Sequence, residues 1–256
     1  LDSTLPDFFD ALQREDSDIQ PFVSAFESMG LVLREITIGQ RRWVLLTESG
    51  SDWRGAGGYA LQKGPVTNEV VLQAPHSFYE TASGKAARAL AESQHVRRFY
   101  FNTLHRYYLL PGMVCDPGVY PTDVAHVTHS FFHQMTIHYL ETFADGTIVQ
   151  LHGHSNQTLL AKNIGTVVSS GTEQPTGYAK RLADTLGETF AGQKVVLYPE
   201  GTKLYGGTLN IQGRWIRENL RGHFVHVELS KSQRQAIATD ADLRTTFARA
   251  ISASDD

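Results

Sequence analysis

Histidine and acidic residues stand where three apolar segments of the chain end. The segments are "VVLQAPHSFYE" with His76 and Glu80, "TIVQLHGHSN" with His152 and His154, and "FVHVELSKSQR" with Glu228. Two neutral imidazoles and a carboxylate, with one position left to water, form a common catalytic zinc site. Zinc lowers the pKa of its water and polarises a substrate carbonyl. A separate carboxylate then carries the proton from that water to the leaving amine.

These residues predict a specific division of roles. We expect His76, Glu80 and His152 to bind one zinc ion per chain and Glu228 to act as the base. His152 is preferred to His154 because it closes the apolar strand directly. His154 follows a glycine and could instead orient the substrate.

Each of these residues also has a structural interpretation. His76 alone could be a hydrogen-bonded structural residue, and Glu80 could favour the positive end of a helix that starts nearby. Glu228 could occupy an exposed edge position, although an unpaired carboxylate in an apolar strand is costly when it is buried. Their joint occurrence at strand ends favours the metal site.

A second group of histidines lies between residues 126 and 138. It consists of His126, His129, His133 and His138 in "HVTHSFFHQMTIH". The spacing of His129 and His133 would suit zinc on a helix, but the metalloprotease motif has Glu directly after its first His, where this chain has Ser130. We therefore expect a polar helix face here, with Asp123 and His126 able to line a cleft.

Composition indicates a globular protein and excludes several classes. Of the 256 residues, 41% are hydrophobic and 20% are charged, with 23 basic and 27 acidic residues and a net charge of −4. Without a dense basic run, neither nucleic acid nor an anionic membrane is an expected partner. No apolar run approaches the roughly 20 residues of a membrane span.

Other nucleophiles are not predicted. "SSGTEQ" lacks the G-x-S-x-G turn of serine hydrolases. Cys115, the single cysteine, cannot form an intrachain disulfide and has no motif around it, so we expect a packed thiol. The chain begins at Leu1, which is compatible with removal of an export signal or of an expression tag, and of the two we expect export to the periplasm or the exterior.

The first 60 residues predict helices and a hairpin of uncertain role. Apolar spacing indicates helix over residues 6–30, and "LVLREITI" and "RRWVLLTE" flank "GQ" as a β-hairpin. The following glycine-rich segment, "GSDWRGAGGYALQKG", lacks the order of a phosphate-binding loop and is interpreted as a connection.

Strands and helices alternate from residue 69 onward. The predicted strands are "EVVLQAPH", "VRRFYFNTL", "TIVQLH", "IGTVVSSG", "KVVLYP" and "HFVHVELS"; the helices are "SGKAARALAESQ", "HSFFHQMTIHYLETF", "PTGYAKRLADTLGETF" and "KSQRQAIATDADLRTTFARAIS". This order predicts one α/β domain over residues 1–256, with three α/β/α layers and a mixed, largely parallel sheet. Ligand sites in such sheets gather at the carboxyl ends of strands.

The three motifs "PHSFYE", "VQLHGHS" and "HVELS" resemble those of the zinc carboxypeptidase-like hydrolases. This superfamily includes carboxypeptidase A-type enzymes, the succinylglutamate desuccinylase and aspartoacylase group, and N-formylglutamate amidohydrolases. The resemblance covers roughly residues 69–240. It implies the same fold, a zinc ion and hydrolysis of an amide or peptide bond.

Two positions depart from the pattern of that superfamily. His76 and Glu80 are four residues apart, whereas the carboxypeptidase motif spaces them three apart. Gln150 stands two residues before His152, where Asp is frequent. Both differences favour an amidohydrolase-type branch over a peptidase.

The resemblance also implies which side chains hold substrate. Its members bind a substrate carboxylate through Arg and Asn, and bidentate Arg suits that task. The corresponding candidates are Asn102 and Arg106 in "FNTLHRYY", Asn210 and Arg214 in "GGTLNIQGR", and Arg234 in "ELSKSQR". Arg106 could also polarise the carbonyl, and "GGTLNIQGR" could be a loop that closes over the cleft. The alternative for each Arg is an ordinary surface residue.

We therefore expect a zinc-dependent hydrolase that acts beside a carboxylate-bearing group of a small molecule or peptide. A metallocarboxypeptidase that cleaves peptides or cell-wall peptides is the first alternative, and an esterase with the same metal chemistry is another. A catalytically inactive binding module on the same fold would not need Glu228 as a base. A polar core in which the histidines bond only to one another would need no metal.

Overall fold

The computed structural model describes residues 4–50, 53–65, 70–93, 95–112, 120–190 and 192–253. The helices are α1 (Thr4–Leu12), α2 (Gln20–Ser28), α3 (Ser83–Ala91), α4 (Phe131–Thr142), α5 (Gln157–Ala161), α6 (Gly177–Thr189), α7 (Ile211–Asn219), α8 (Lys231–Thr239) and α9 (Ala241–Ser252). The strands are β1 (Leu31–Ile38), β2 (Arg41–Glu48), β3 (Gly58–Gln62), β4 (Val70–Ala74), β5 (Arg98–Phe101), β6 (Thr147–His154), β7 (Ile164–Ser169), β8 (Lys194–Leu197) and β9 (His223–Ser230).

All nine of these strands join one sheet in the order β1-β2-β3-β5-β4-β6-β9-β7-β8. The four middle strands, β5, β4, β6 and β9, are parallel to one another. Strands β1 to β3 pair antiparallel and join β5 in the same way. Strand β7 is antiparallel to β9 and parallel to β8. The predicted α/β class with a mixed sheet is confirmed, with the parallel part in the middle.

Helices cover both faces of the sheet because its strands are apolar on both sides. Val149 and Leu151 of β6 belong to a core that includes residues of α3, α6, α8 and α9. Ile148 of β6 and Phe224 of β9 belong to a second core with residues of α1, α2, α4 and α7. The molecule therefore has the predicted three layers.

On the face of the sheet that carries the second core, polar residues replace apolar ones toward the carboxyl ends of the strands. Because side chains alternate along a strand, Gln150 and His152 share the face of the apolar residues that contact α4 and α7. The register pairs Gln73 with Gln150, Gln150 with His226, and His152 with Glu228. Strand β9 lies between β6 and β7, so the exposed edge position considered for Glu228 is wrong.

Strand β3 corrects the interpretation of residues 50–64 as a connection. Gly58–Gln62 pairs with both β2 and β5. A Cβ atom on Gly58 would lie 2.3 Å from the ring of Phe101, so this glycine permits close approach of a side chain and does not mark a loop. The high glycine content of this segment had suggested a connection and not a strand.

Three helical regions also differ from the prediction. The closing helix is divided into α8 and α9 at Asp240, whose carboxylate accepts hydrogen bonds from the N–H groups of Asp242 and Leu243 at 3.0 Å. The segment "GGTLNIQGR" is a loop only as far as Asn210, which caps α7, so Arg214 lies on a helix. Helix α5 was not predicted.

The N-terminal hairpin forms as predicted, with Ile38 paired to Arg41 around the two-residue turn. The helical residues before it are 4–12 and 20–28. Cys115 lies outside the described residues. Among the helices of the described ranges, none is both long and apolar enough to cross a membrane.

The end of α7 generates a test of the fold. Leu220 is 91% exposed and has a φ of 52°, a left-handed conformation that favours glycine at a helix end. We expect Leu220→Gly to raise the free energy of unfolding by about 0.5–1 kcal/mol, because the strain on a Cβ in this conformation is removed. Urea unfolding followed by circular dichroism measures the change.

The matched control is Leu220→Ala, which removes the same apolar surface but keeps the Cβ atom. Its unfolding free energy should stay within about 0.5 kcal/mol of the wild type. A glycine variant no more stable than the alanine variant would contradict the strained conformation.

Candidate active site

The carboxyl ends of β4, β6 and β9 open into a cleft with a volume of about 300 Å³. The loop that precedes α7 forms the opposite wall. The lining residues are His76, Glu80, Arg106, His126, His152, Tyr205, Gly207, Thr208, Leu209, Asn210, His226 and Glu228. The predicted ligands and the predicted base therefore lie in one cleft.

Three side-chain atoms converge on one side of this cleft. His76 Nδ1 lies 2.7 Å from Glu80 Oε1, and His152 Nδ1 lies 3.1 Å from His76 Nδ1 and 3.4 Å from Glu80 Oε1. Tetrahedral zinc with N and O ligands near 2.0–2.1 Å holds those ligand atoms roughly 3.3 Å apart. Glu80 Oε2 is buried and has no hydrogen-bond partner in the described part of the chain. The three residues fit a zinc ion in donor type, and the two separations from His152 match it, while the 2.7 Å between His76 and Glu80 is the length of a hydrogen bond.

The opposite nitrogen of each imidazole meets an oxygen atom. His76 Nε2 lies 2.9 Å from Asp123 Oδ1, and His152 Nε2 lies 3.2 Å from Gln150 Oε1. Such partners fix the tautomer and the ring orientation of a ligating histidine. Both rings therefore turn Nδ1 toward Glu80.

Two carboxylates near these histidines are held in the ionised form. Burial by itself would raise the pKa of Glu80, but the neighbouring imidazoles of His152 and His76 lower it to about 2. Burial would likewise raise the pKa of Asp123, yet hydrogen bonds from His126 and His76 hold it well below its usual range. Both groups supply the negative charge that a divalent cation needs.

The histidines of the cleft differ in their proton affinity. Burial lowers the pKa of His152. Burial and the neighbouring His152 together hold the pKa of His226 far below its usual range. Burial also opposes protonation of His76, but its bonds to Asp123 and Glu80 outweigh this and raise the pKa. The lowered pKa favours the neutral form of His152, which is the form that binds metal.

Glu228 lies directly beside His152 in the register and is 6% exposed. Burial, followed by the charge of Glu80, raises the pKa of Glu228 well above its usual value. Its Oε2 atom is buried and has no hydrogen-bond partner among the described residues. A raised pKa strengthens the hold of the carboxylate on a proton that it has accepted, and a general base must be in its ionised form when the reaction begins.

Arg106 is held at the cleft by a carboxylate and two aromatic rings. Its Nη2 donates to Asp123 Oδ2. The guanidinium carbon lies 5.5 Å from the ring centre of Tyr79 and 5.0 Å from that of Tyr107. The Nε atom is buried and has no hydrogen-bond partner in the described ranges.

Four of the six predicted substrate-binding residues do not line the cleft, and three of these four contact backbone carbonyl groups instead. Asn102 donates to the carbonyl of Thr122 at 2.7 Å. Nε2 of His154 lies 3.0 Å from the carbonyl oxygen of Gly165. Arg234 donates from Nε to the carbonyl of Thr81 at 2.8 Å and from Nη1 to that of Leu229. Each of these side chains holds backbone segments together.

Asn210 and Arg214 lie on either side of the boundary between loop and helix. Asn210 lines the cleft, but its side chain caps α7 and donates to Gln150 Oε1 at 2.7 Å. The exposed side chain of Arg214 lies 3.8 Å from Glu218 and does not line the cleft. Of the predicted substrate residues, the structure brings Arg106 and Asn210 to the cleft.

The second group of histidines does not assemble into a cluster. His129 precedes α4, so it does not share a helix with His133. His133 and His138 are buried, so the predicted polar helix face is wrong for them. Burial, and then the charge of Arg214, lower the pKa of His133 to about 4. His126 lines the cleft as predicted, whereas Asp123 lies behind it, with Oδ1 at 3.0 Å from His126 Nδ1.

His226 and Tyr205 line the cleft without having been predicted. The ring centre of His226 lies 4.3 Å from that of His152, and the two-residue alternation back from Glu228 would have indicated it. Gly207 allows the loop to approach, because a Cβ there would lie 2.8 Å from the His226 ring. Tyr205 has a φ of 59° in the loop, and no sequence pattern indicated it.

Comparisons with known proteins found remote similarities among solved structures. The chain matches no protein-family model and no curated protein. Among solved structures, it is similar to a bacteriophage poly-gamma-glutamate hydrolase, with 14% identity over 90% of this chain and 92% of that chain and a TM-score of 0.41.

Two further solved structures are of bacterial proteins. A candidate carboxypeptidase from Burkholderia mallei shares 9% identity over 90% of this chain and 66% of that chain, with a TM-score of 0.46. A candidate metallopeptidase from Shewanella amazonensis shares 16% identity over 92% and 90%, with a TM-score of 0.37. At these scores the similarity carries no weight for substrate or mechanism, which depend on the site geometry.

Asp123 provides the test of the site geometry. In Asp123→Asn, an amide would replace a carboxylate that faces His76, His126 and Arg106, so His76 would lose its orientation. We expect zinc affinity to fall by about 10–100-fold. Competition with a chromophoric chelator measures it.

The control is Glu141→Gln, which alters a carboxylate 2.7 Å from His138, outside the cleft. That variant should bind zinc as the wild type does. An Asp123→Asn affinity within about threefold of the wild type would contradict the role of Asp123 in orienting a ligand.

Proposed function

We propose that this protein is a zinc-dependent hydrolase that cleaves an amide or peptide bond beside a carboxylate-bearing group. The observation that carries the proposal is the triangle of His76 Nδ1, Glu80 Oε1 and His152 Nδ1, with sides of 2.7 to 3.4 Å. Glu228 lies beside it on the neighbouring strand. Metal ligands and a proton acceptor therefore share one cleft.

His76, Glu80 and His152 would hold one zinc ion per chain. When bound, zinc lowers the pKa of a coordinated water and polarises a carbonyl. Glu80 and Asp123 contribute negative charge, and the neutral ring of His152 offers a lone pair at Nδ1. The protein supplies this arrangement before substrate arrives, so little reorganisation is needed.

Glu228 would move the proton. Its unpartnered carboxylate oxygen accepts a proton from the attacking water, and the raised pKa favours holding it. The same oxygen then gives the proton to the nitrogen of the leaving amine, which completes hydrolysis. Burial keeps this carboxyl group away from bulk solvent during both transfers.

Arg106 would bind the anionic part of the substrate or polarise its carbonyl. Among the described lining residues it is the one Arg or Lys side chain, while Glu80 and Glu228 are acidic. Its guanidinium is positioned by Asp123 and by stacking on Tyr79 and Tyr107. A pre-positioned guanidinium loses little entropy when it meets a carboxylate.

Turnover by Glu228→Gln tests this mechanism. The substrates are N-acyl amino acids, γ-linked glutamyl peptides and peptides with a free terminal carboxylate, with amine release as the measurement. We expect kcat to fall by about 10²–10⁴-fold, because an amide cannot accept the proton. Zinc content and substrate affinity should stay near the wild-type values.

Glu218→Gln is the control, since Glu218 is exposed and contacts Arg214 on α7. It should keep wild-type turnover. Unchanged kcat in Glu228→Gln would remove Glu228 from the mechanism. A wild-type protein that binds zinc and these ligands but cleaves none of them would be a binding module and not an enzyme.

A further inference from the structure

The amide of Gln150 makes four hydrogen-bonding contacts in the middle of the buried face. Its Oε1 lies 2.7 Å from Asn210 Nδ2 and 3.2 Å from His152 Nε2. Its Nε2 donates to Gln73 Oε1 at 2.8 Å and to Gln212 Oε1 at 3.1 Å. Gln150 is fully buried, so bulk solvent does not reach these contacts.

Backbone groups fix the direction of these bonds on two sides. Asn210 Oδ1 accepts the N–H of Gly213 at 3.0 Å, so Asn210 turns its NH₂ group toward Gln150. Gln212 donates its NH₂ group to the carbonyl of Val124 at 2.9 Å, so its oxygen faces Gln150. A backbone N–H only donates and a carbonyl only accepts, so neither amide can be reversed without loss.

A third anchor lies on the side of α4. Gln73 donates from Nε2 to the hydroxyl of Thr136 at 2.9 Å. That hydroxyl donates in turn to the carbonyl of Phe132 at 2.9 Å. The oxygen of Gln73 is thereby left to face the NH₂ group of Gln150. All three neighbours require the same orientation of the Gln150 amide.

We propose that Gln150 is a positioning residue that sets the tautomer of His152. Because Gln150 can present only its oxygen to His152, the imidazole must carry its hydrogen on Nε2. The lone pair then lies on Nδ1, the atom 3.1 Å from His76 Nδ1 and 3.4 Å from Glu80 Oε1. This inference rests on the proposed zinc site and names what orients its third ligand.

The two histidines are thus oriented by different chemistry. Asp123 orients His76 with a charge, whereas Gln150 orients His152 with a neutral amide. Asn210 belongs to the hydrogen-bond network around Gln150. This role explains its position in the cleft wall better than a contact with substrate does. Because Asn210 also caps α7, the loop opposite the ligands is tied to His152 through two hydrogen bonds.

Nitrogen NMR of metal-free protein labelled at histidine tests the proposal. At a pH where His152 is neutral, we expect the Nε2–H form in the wild type. In Gln150→Met, which nearly keeps the side-chain volume but removes the acceptor, the two tautomers should mix. Zinc affinity, measured by chelator competition, should fall by about 10–100-fold.

Two further variants separate positioning from packing. Gln150→Glu restores an oxygen toward His152, so the Nε2–H form and most of the zinc affinity should return. Gln73→Met removes an equally buried amide that contacts Gln150 but not His152. It should lower stability while the His152 tautomer and zinc affinity stay as in the wild type.

The Nδ1–H form in the metal-free wild type would overturn the proposal, whether or not any variant folds. A Gln150→Met protein with the wild-type tautomer and affinity would also overturn it. If the wild type binds no zinc, the proposed function fails, and the tautomer of His152 still decides the role of Gln150.

Discussion

Two imidazole nitrogens and a carboxylate oxygen face one another within 3.4 Å at the buried end of the sheet. Nδ1 of His76 and Nδ1 of His152 are 3.1 Å apart, and two lone pairs at that distance repel unless a proton or a cation lies between them. Glu80 adds a negative charge to the same point. The arrangement is therefore suited to a proton or a cation, and the contacts of His76 with Asp123 and of His152 with Gln150 hold the two rings in place.

The parallel strands in the middle of the sheet bring these side chains together. Strands β4, β6 and β9 end at the same edge, so residues far apart in sequence become neighbours. Along one face, apolar side chains pack on α4 and α7, then amides follow, and the histidines and Glu228 come last. The amides let polarity increase toward the cleft without leaving buried donors and acceptors of Gln150 unpaired.

The α/β fold and most of the site residues were predictable from the sequence, because they depend on patterns within short segments of the chain. His76, His152 and Glu228 follow apolar segments, and strand ends of a parallel sheet converge. The roles of Asn102 and Arg234 were not predictable, since their partners, Thr122 and Thr81, are distant in sequence or depend on how loops pack. Strand β3 was not predicted because Gly58 was taken as part of a loop, whereas it allows the Phe101 ring of β5 to pack closely.

The zinc site is tested most directly by measuring metal content with inductively coupled plasma mass spectrometry. The protein is measured after purification without added metal, and again after incubation with zinc and desalting. We expect about one zinc per chain in the wild type. His76→Ala should lose it, and His129→Ala, which alters an exposed histidine outside the cleft, should keep it. A wild-type protein that holds no zinc in either preparation would contradict the account.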